Sequence, residues 1–173
     1  MHCCGPHGAY GMFLAWNNIV SKSENKVSVN LLINRDSAIA DVRSYLPYEG
    51  KAEITPKSDC TLSINLPVKA AAERIKVTAG GVPANFTLDG ARVVLENAAK
   101  DRTVTVEFPN EYKTDKQTIN GEEYSLTWRG NTVVEIDPAG TVAPLFKREH
   151  FKQDKAPLLP NADFTYLENP IDW

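Results

Sequence analysis

Thr103-Val104-Thr105-Val106-Glu107-Phe108 alternates without a break. Val104, Val106 and Phe108 fall on one side, and Thr103, Thr105 and Glu107 on the other. A period of two marks a strand with one buried face. The same signature recurs on both sides of this stretch. Upstream, Val27, Val29 and Leu31 alternate with Ser28, Asn30 and Leu32. Ile39, Asp41 and Arg43 continue a second strand, closed by Pro47 and Gly50. Ala52-Ile54 and Leu62-Ile64-Leu66 give two more, and Ile75-Val77 runs into the sharp turn Gly80-Gly81. Phe86-Leu88 leads into Asp89-Gly90, a dipeptide of the favoured two-residue hairpin type. Downstream, Asn120-Gly121 is a second such turn, between Thr118-Ile119 and Tyr124-Leu126-Trp128. Gly130-Asn131 then turns into Val133-Val134-Ile136, which stops at Asp137-Pro138.

The pattern predicts about nine or ten short strands spaced about 8–12 residues apart, the rhythm of a β-sandwich or barrel. No βαβ alternation appears, which argues against a parallel sheet. Before the strands, Ala9, Phe13, Trp16 and Val20 share one face of a helix predicted from Ala9 to about Ser21. Met12, Leu14 and Ile19 cover its other sides, so this helix wants burial nearly all round. A sheet on one side does not supply that, and other helices are expected against it. After the strands, Lys147, Arg148, Lys152 and Lys155 precede Pro157, Pro160 and Pro170. That composition predicts an extended arm, with Phe164, Tyr166 and Trp173 pinning it to a surface.

The chain has 173 residues, 42% hydrophobic and 24% charged, with net charge -3. These values suit a globular protein able to bury a core. The missing basic excess argues against a nucleic-acid surface. No apolar run reaches the roughly 18–20 residues that span a bilayer. The stretch from Met12 to Val20 is broken by Asn17 and Asn18. No membrane partner is expected. No export signal is read either, since a basic leading segment is missing, and the default setting is cytoplasmic.

Chemistry concentrates in His2-Cys3-Cys4-Gly5-Pro6-His7-Gly8. Three cysteines, two of them adjacent, make no disulfide framework. Cys3 and Cys4 read as reduced thiols or as thiolates on a metal. Gly5-Pro6 permits the bend that would aim both at one ion, and His2 and His7 could add nitrogen ligands. A metal-bound thiolate can also act as a nucleophile, because the metal depresses its pKa. From spacing alone, a pair of buried or N-terminal free thiols is the reading preferred over a metal site. Cys60, at the start of a strand, reads as a small buried hydrophobe. Glu122 and Glu123 are adjacent, so a strand points them to opposite faces at a solvated edge. Glu149-His150 reads as an exposed charge run ahead of an acid/base pair. Tyr45, Tyr48, Tyr112, Tyr124 and Trp128 read as packing ahead of a sugar platform.

The cysteine motif with its apolar helix and Val27-Ser28-Val29-Asn30-Leu31-Leu32-Ile33-Asn34 resembles the end of the catalytic barrel in the β-L-arabinofuranosidase family, glycoside hydrolase family 127. Tyr45-Leu46-Pro47-Tyr48-Glu49-Gly50 and Arg129-Gly130-Asn131-Thr132-Val133-Val134 are similar to the β-sandwich that follows that barrel. Pro144-Leu145-Phe146-Lys147-Arg148-Glu149-His150-Phe151 and Ile171-Asp172-Trp173 resemble its tail. The resemblance implies an (α/α)6 barrel followed by β-sandwiches. It also implies a retaining glycosidase that works through a thioglycosyl intermediate. Carried over, Cys3 is nucleophile and zinc ligand, and Cys4 is a second zinc ligand. An upstream glutamate and a third cysteine complete the metal site, and another upstream glutamate is the acid/base.

None of those upstream groups is in this chain. The expectation is therefore a C-terminal piece of such an enzyme, from a truncated reading frame, a split gene or an expressed part. Its fold class is mainly β, an antiparallel, jelly-roll-like sandwich with one N-terminal helix left over from the barrel. Residues 1–24 would be the end of the barrel, 25–140 the sandwich and 141–173 an arm packed on it. Such a piece is expected to be structural and inactive alone, without stably bound zinc. An arabinofuranoside-type carbohydrate would be met through the barrel, and the exposed helix could drive self-association. The rival expectation is an independent carbohydrate-binding or protein-interaction module.

Overall fold

The computed structural model describes residues 4–139 and 149–157. It opens with helix α1 (Cys4–Asn17), followed by β1 (Val20–Ser23), β2 (Lys26–Val29), β3 (Ala40–Ser44), β4 (Lys51–Pro56) and β5 (Cys60–Asn65). Then come β6 (Lys76–Ala79), β7 (Val82–Pro83), β8 (Thr87–Asp89), β9 (Arg92–Ala98) and β10 (Val104–Glu107). The last three strands are β11 (Tyr112–Ile119), β12 (Glu122–Arg129) and β13 (Thr132–Asp137). Short 3-10 turns occupy Ala72–Arg74 and Glu149–Lys152.

Two five-stranded sheets, β1-β2-β5-β9-β8 and β3-β4-β10-β6-β7, form the sandwich. Val27, Val29, Leu62, Ile64, Val93 and Leu95 from the first meet Val42, Ile54, Val77, Val104 and Val106 from the second in one apolar core. The alternation around Val104 holds: Val104, Val106 and Phe108 are buried while Glu107 is exposed. In β3 the inward phase is Ala40, Val42 and Ser44, so Asp41 and Arg43 face away from the core. The third sheet, β11-β12-β13, adds no residue to that core.

Pairing is antiparallel except where β2 runs parallel to β5, with Val27 opposite Leu62 and Val29 opposite Ile64. No helix makes this crossover. The chain leaves the first sheet after β2, forms the antiparallel pair β3–β4 in the second and returns as β5. An excursion through the opposite sheet reverses the chain direction as a crossover helix would.

The helix differs from its sequence expectation at both ends. It begins at Cys4, so the Gly5-Pro6 bend is helical. Proline is tolerated in a first turn, where its missing N–H has no intrahelical partner to lose. It ends at Asn17, because Ile19 and Val20 go into the core at 1% and 3% exposure. Asn18 closes the helix, its side-chain amide donating to the Leu14 carbonyl at 2.8 Å. The Asn120-Gly121 turn is as expected, with φ of 53° and 84° and Ile119 opposite Glu122. Both positive angles fit a type I′ hairpin. The other hairpin turns one residue later than expected, at Gly90-Ala91, with Asp89 opposite Arg92.

Cys60 is a free thiol in the core at 2% exposure, and burial pushes its pKa up. A protonated thiol without solvent access reacts poorly. In a Cys3→Ser, Cys4→Ser background, a thiol-exchange reagent should label folded protein at least about 100-fold more slowly than urea-unfolded protein. Equal rates would contradict the buried placement.

Candidate functional site

Among the candidate ligands, His2 and Cys3 lie outside the described residues. Cys4 is the first residue of α1, and His7 follows one turn later on the same helix, exposed. Among the described residues no three His, Cys, Asp or Glu side chains are grouped to hold a metal ion. Tetrahedral zinc needs four donors.

Behind the motif, α1 presents an uncharged surface. Its fourteen residues include no Asp, Glu, Lys or Arg. Tyr10 is 59% exposed, Met12 75%, Phe13 57%, Leu14 41% and Trp16 50%. Positions 10, 13 and 14 cluster on one side of the helix and 12 and 16 on another, so the apolar surface wraps most of it. The helix is too short to cross a membrane: no described helix is long and apolar enough.

Two polar residues fasten this helix to the sandwich. Arg35 donates to the Trp16 carbonyl and stacks its guanidinium 5.2 Å from the Trp16 ring centre. A cation beside the helix C-terminus also complements the helix dipole. The Arg35 backbone pairs with Val42 through two hydrogen bonds. Asn30 is the second anchor. Its amide group donates to the Asn18 carbonyl at 3.0 Å and to Ser21 Oγ at 3.1 Å. Its side-chain oxygen accepts from Arg92 at 3.0 Å, and its backbone carbonyl accepts from Asn65 at 3.2 Å. Asn30→Ala strands several of these groups at a half-buried junction, so a loss of about 1–3 kcal/mol is expected in urea unfolding. An unchanged midpoint would show that water replaces the side chain at no cost.

The other candidates separate. Glu122 and Glu123 are exposed beside the hairpin turn, and Glu123 pairs with Lys116 at 3.1 Å. The His150 ring meets the Phe151 ring at a 55° tilt with centres 4.1 Å apart, and Phe151 meets Tyr48 edge-on at 6.1 Å. The aromatics come from two parts of the fold. Tyr45 and Tyr48 are buried in the segment joining β3 to β4, whereas Tyr112, Tyr124 and Trp128 belong to the third sheet. The arm residues Phe164, Tyr166 and Trp173 lie outside the described residues. Arg129, missed in the sequence, is 7% exposed and donates to the Phe151 carbonyl at 3.2 Å. It ties residues 149–157 to the third sheet. No local pattern marks it, because its partner is more than twenty positions away.

Along β3 and β4 runs a charged row. Lys51 bridges Glu53 at 2.8 Å and lies over the Tyr45 ring at 4.2 Å. Partial burial pushes the Glu53 carboxyl up, but hydrogen bonds from Lys51 and Tyr45 outweigh it and hold the carboxyl below its ordinary range.

No protein-family model matches the sequence, and no curated protein matches it. Among solved structures the chain is similar to a GH127 β-L-arabinofuranosidase from Geobacillus stearothermophilus T6. The TM-score is 0.52 at 17% identity, over 76% of this chain and 23% of that one. It is also similar to a glycoside hydrolase at TM-score 0.52 and 16% identity, over 76% of this chain and 25% of that one. The chain thus spans about a quarter of each of these proteins. What it shares with them is the fold of that portion.

Proposed function

We propose that this chain is an accessory β-sandwich of a family 127-like glycoside hydrolase, the C-terminal part that follows the catalytic barrel, and that alone it hydrolyses no glycoside. The observation that carries this reading is α1. An uncharged helix with five large exposed hydrophobic side chains is the kind of element that completes a helical layer. The fold likeness to a quarter of a β-L-arabinofuranosidase supports the same reading. Carbohydrate would then be bound and cleaved in the barrel, with the sandwich covering it. Cys3 would serve as nucleophile, and Cys3 with Cys4 would be two of the four zinc donors.

Two measurements test this. Without its barrel, α1 is an adhesive surface, and the chain should self-associate with rising concentration in analytical ultracentrifugation. Phe13→Glu with Trp16→Glu should return it to monomer with the sandwich still folded. A wild-type chain that stays monomeric up to roughly 1 mM would contradict the docking role, since burying even a few such side chains yields several kcal/mol. The second measurement uses a complex reconstituted with a family 127 catalytic barrel. There, Cys3→Ala should abolish turnover of an aryl β-L-arabinofuranoside. An unaffected rate would remove the nucleophile role.

A further inference from the structure

The outward face of the second sheet carries a polar depression of about 240 Å³, lined by Asp36, Asp41, Arg43, Glu53, Thr55 and Thr103. Strand register builds it. Asp41 stands opposite Thr55 and Arg43 opposite Glu53, while Thr105 on β10 stands opposite Glu53. The loop ahead of β3 brings Asp36 to the rim. The hydroxyls of Thr55 and Thr103 are 2.9 Å apart and bond to each other.

The charges here balance. Asp41 is paired with Lys57 and also accepts from the Ser37 backbone N–H at 3.3 Å. Glu53 is paired with Lys51. Asp36 faces Lys57 and Arg43 faces Glu53 electrostatically, but neither of these two, one of each sign, is in an ion pair among the described residues. Arg43 is exposed and donates no hydrogen bond among the described residues, so its guanidinium keeps its full fork of donors. Free donors thus adjoin carboxylate and hydroxyl acceptors in a depression with no net charge. Neither an anion nor a metal ion is favoured there. A neutral molecule with adjacent hydroxyls is, because each hydroxyl both donates and accepts.

We infer that this depression is a saccharide subsite, with Arg43 donating to ring hydroxyls and Asp36 and Thr103 accepting from them. It does not depend on the glycosidase reading and adds a ligand to a surface that reading leaves idle. No aromatic ring lines it, so a dissociation constant of about millimolar order is expected. The test is an amide NMR titration of the full chain with L-arabinose, D-xylose and D-glucose, and separately with inorganic phosphate and calcium chloride. At least one sugar should give saturable shifts at the amides of Asp41, Arg43, Glu53 and Thr55. Arg43→Ala should weaken that binding at least about tenfold while leaving the thermal midpoint unchanged, since the side chain is exposed. No saturable shift with any sugar overturns the inference. So do shifts that survive Arg43→Ala, or a preference for phosphate or calcium.

Discussion

Ile54→Ala should lower the unfolding free energy by about 2–5 kcal/mol, and Leu62→Ala in the facing sheet by a similar amount. Ile54 sits in β4, between Val42 on β3 and Val104 on β10, and is fully buried. Leu62 sits in β5, between Val27 on β2 and Leu95 on β9, and is equally buried. Each truncation removes apolar contact and leaves a cavity that two flanking strands cannot collapse into without breaking their ladders. Ile54→Val should cost only about 0.5–1.5 kcal/mol, because it deletes one methylene. Urea unfolding followed by tryptophan fluorescence measures all three. If the two alanine variants each cost under about 1 kcal/mol, the two sheets do not share one core.

Gly50→Ala should be nearly as damaging, for a different reason. A β-carbon at Gly50 would stand 1.9 Å from the Phe108 carbonyl oxygen and 3.0 Å from Asn110 Cβ. The obstacle is backbone, and the Phe108 N–H is bonded to the Gly50 carbonyl at 2.7 Å, so the two segments cannot separate freely. Overpacking of this kind costs about 1–3 kcal/mol, or more where backbone must move. Gly121→Ala is the natural comparison. Its φ is 84°, but nothing lies within 4 Å of an added β-carbon, so only the left-handed conformation is strained. That costs about 1–2 kcal/mol. Thermal unfolding should rank Gly50→Ala below Gly121→Ala in stability. The reverse order would mean that close approach at Gly50 is not what selects glycine.

The sandwich was legible because its strands carry their evidence locally. The alternation around Val104 and the Asn120-Gly121 turn each report on residues within a few positions of themselves. Val20 shows where that fails. It fits the helical period with Ala9, Phe13 and Trp16, yet it enters β1, because burial against β2 outweighs continuing a helix past Asn17 and Asn18. The parallel β2–β5 pair was not legible, since nothing in either strand encodes the excursion between them. In the candidate site, α1 was legible as apolar on most sides, and five of its side chains are indeed exposed. Its fastening was not. Arg35 carries no local signal of this contact, because its partner Trp16 is nineteen positions earlier. Arg43 was read only as a strand residue. Its place in a charge-balanced depression depends on the register of three strands.

An accessory sandwich that covers a catalytic barrel has no turnover of its own. The direct measurement is release of nitrophenol from p-nitrophenyl β-L-arabinofuranoside by the purified chain, with and without added zinc. The expected rate is that of buffer alone in both cases. Saturable, zinc-dependent release that disappears in Cys3→Ala would contradict the proposal and make this chain an enzyme in its own right.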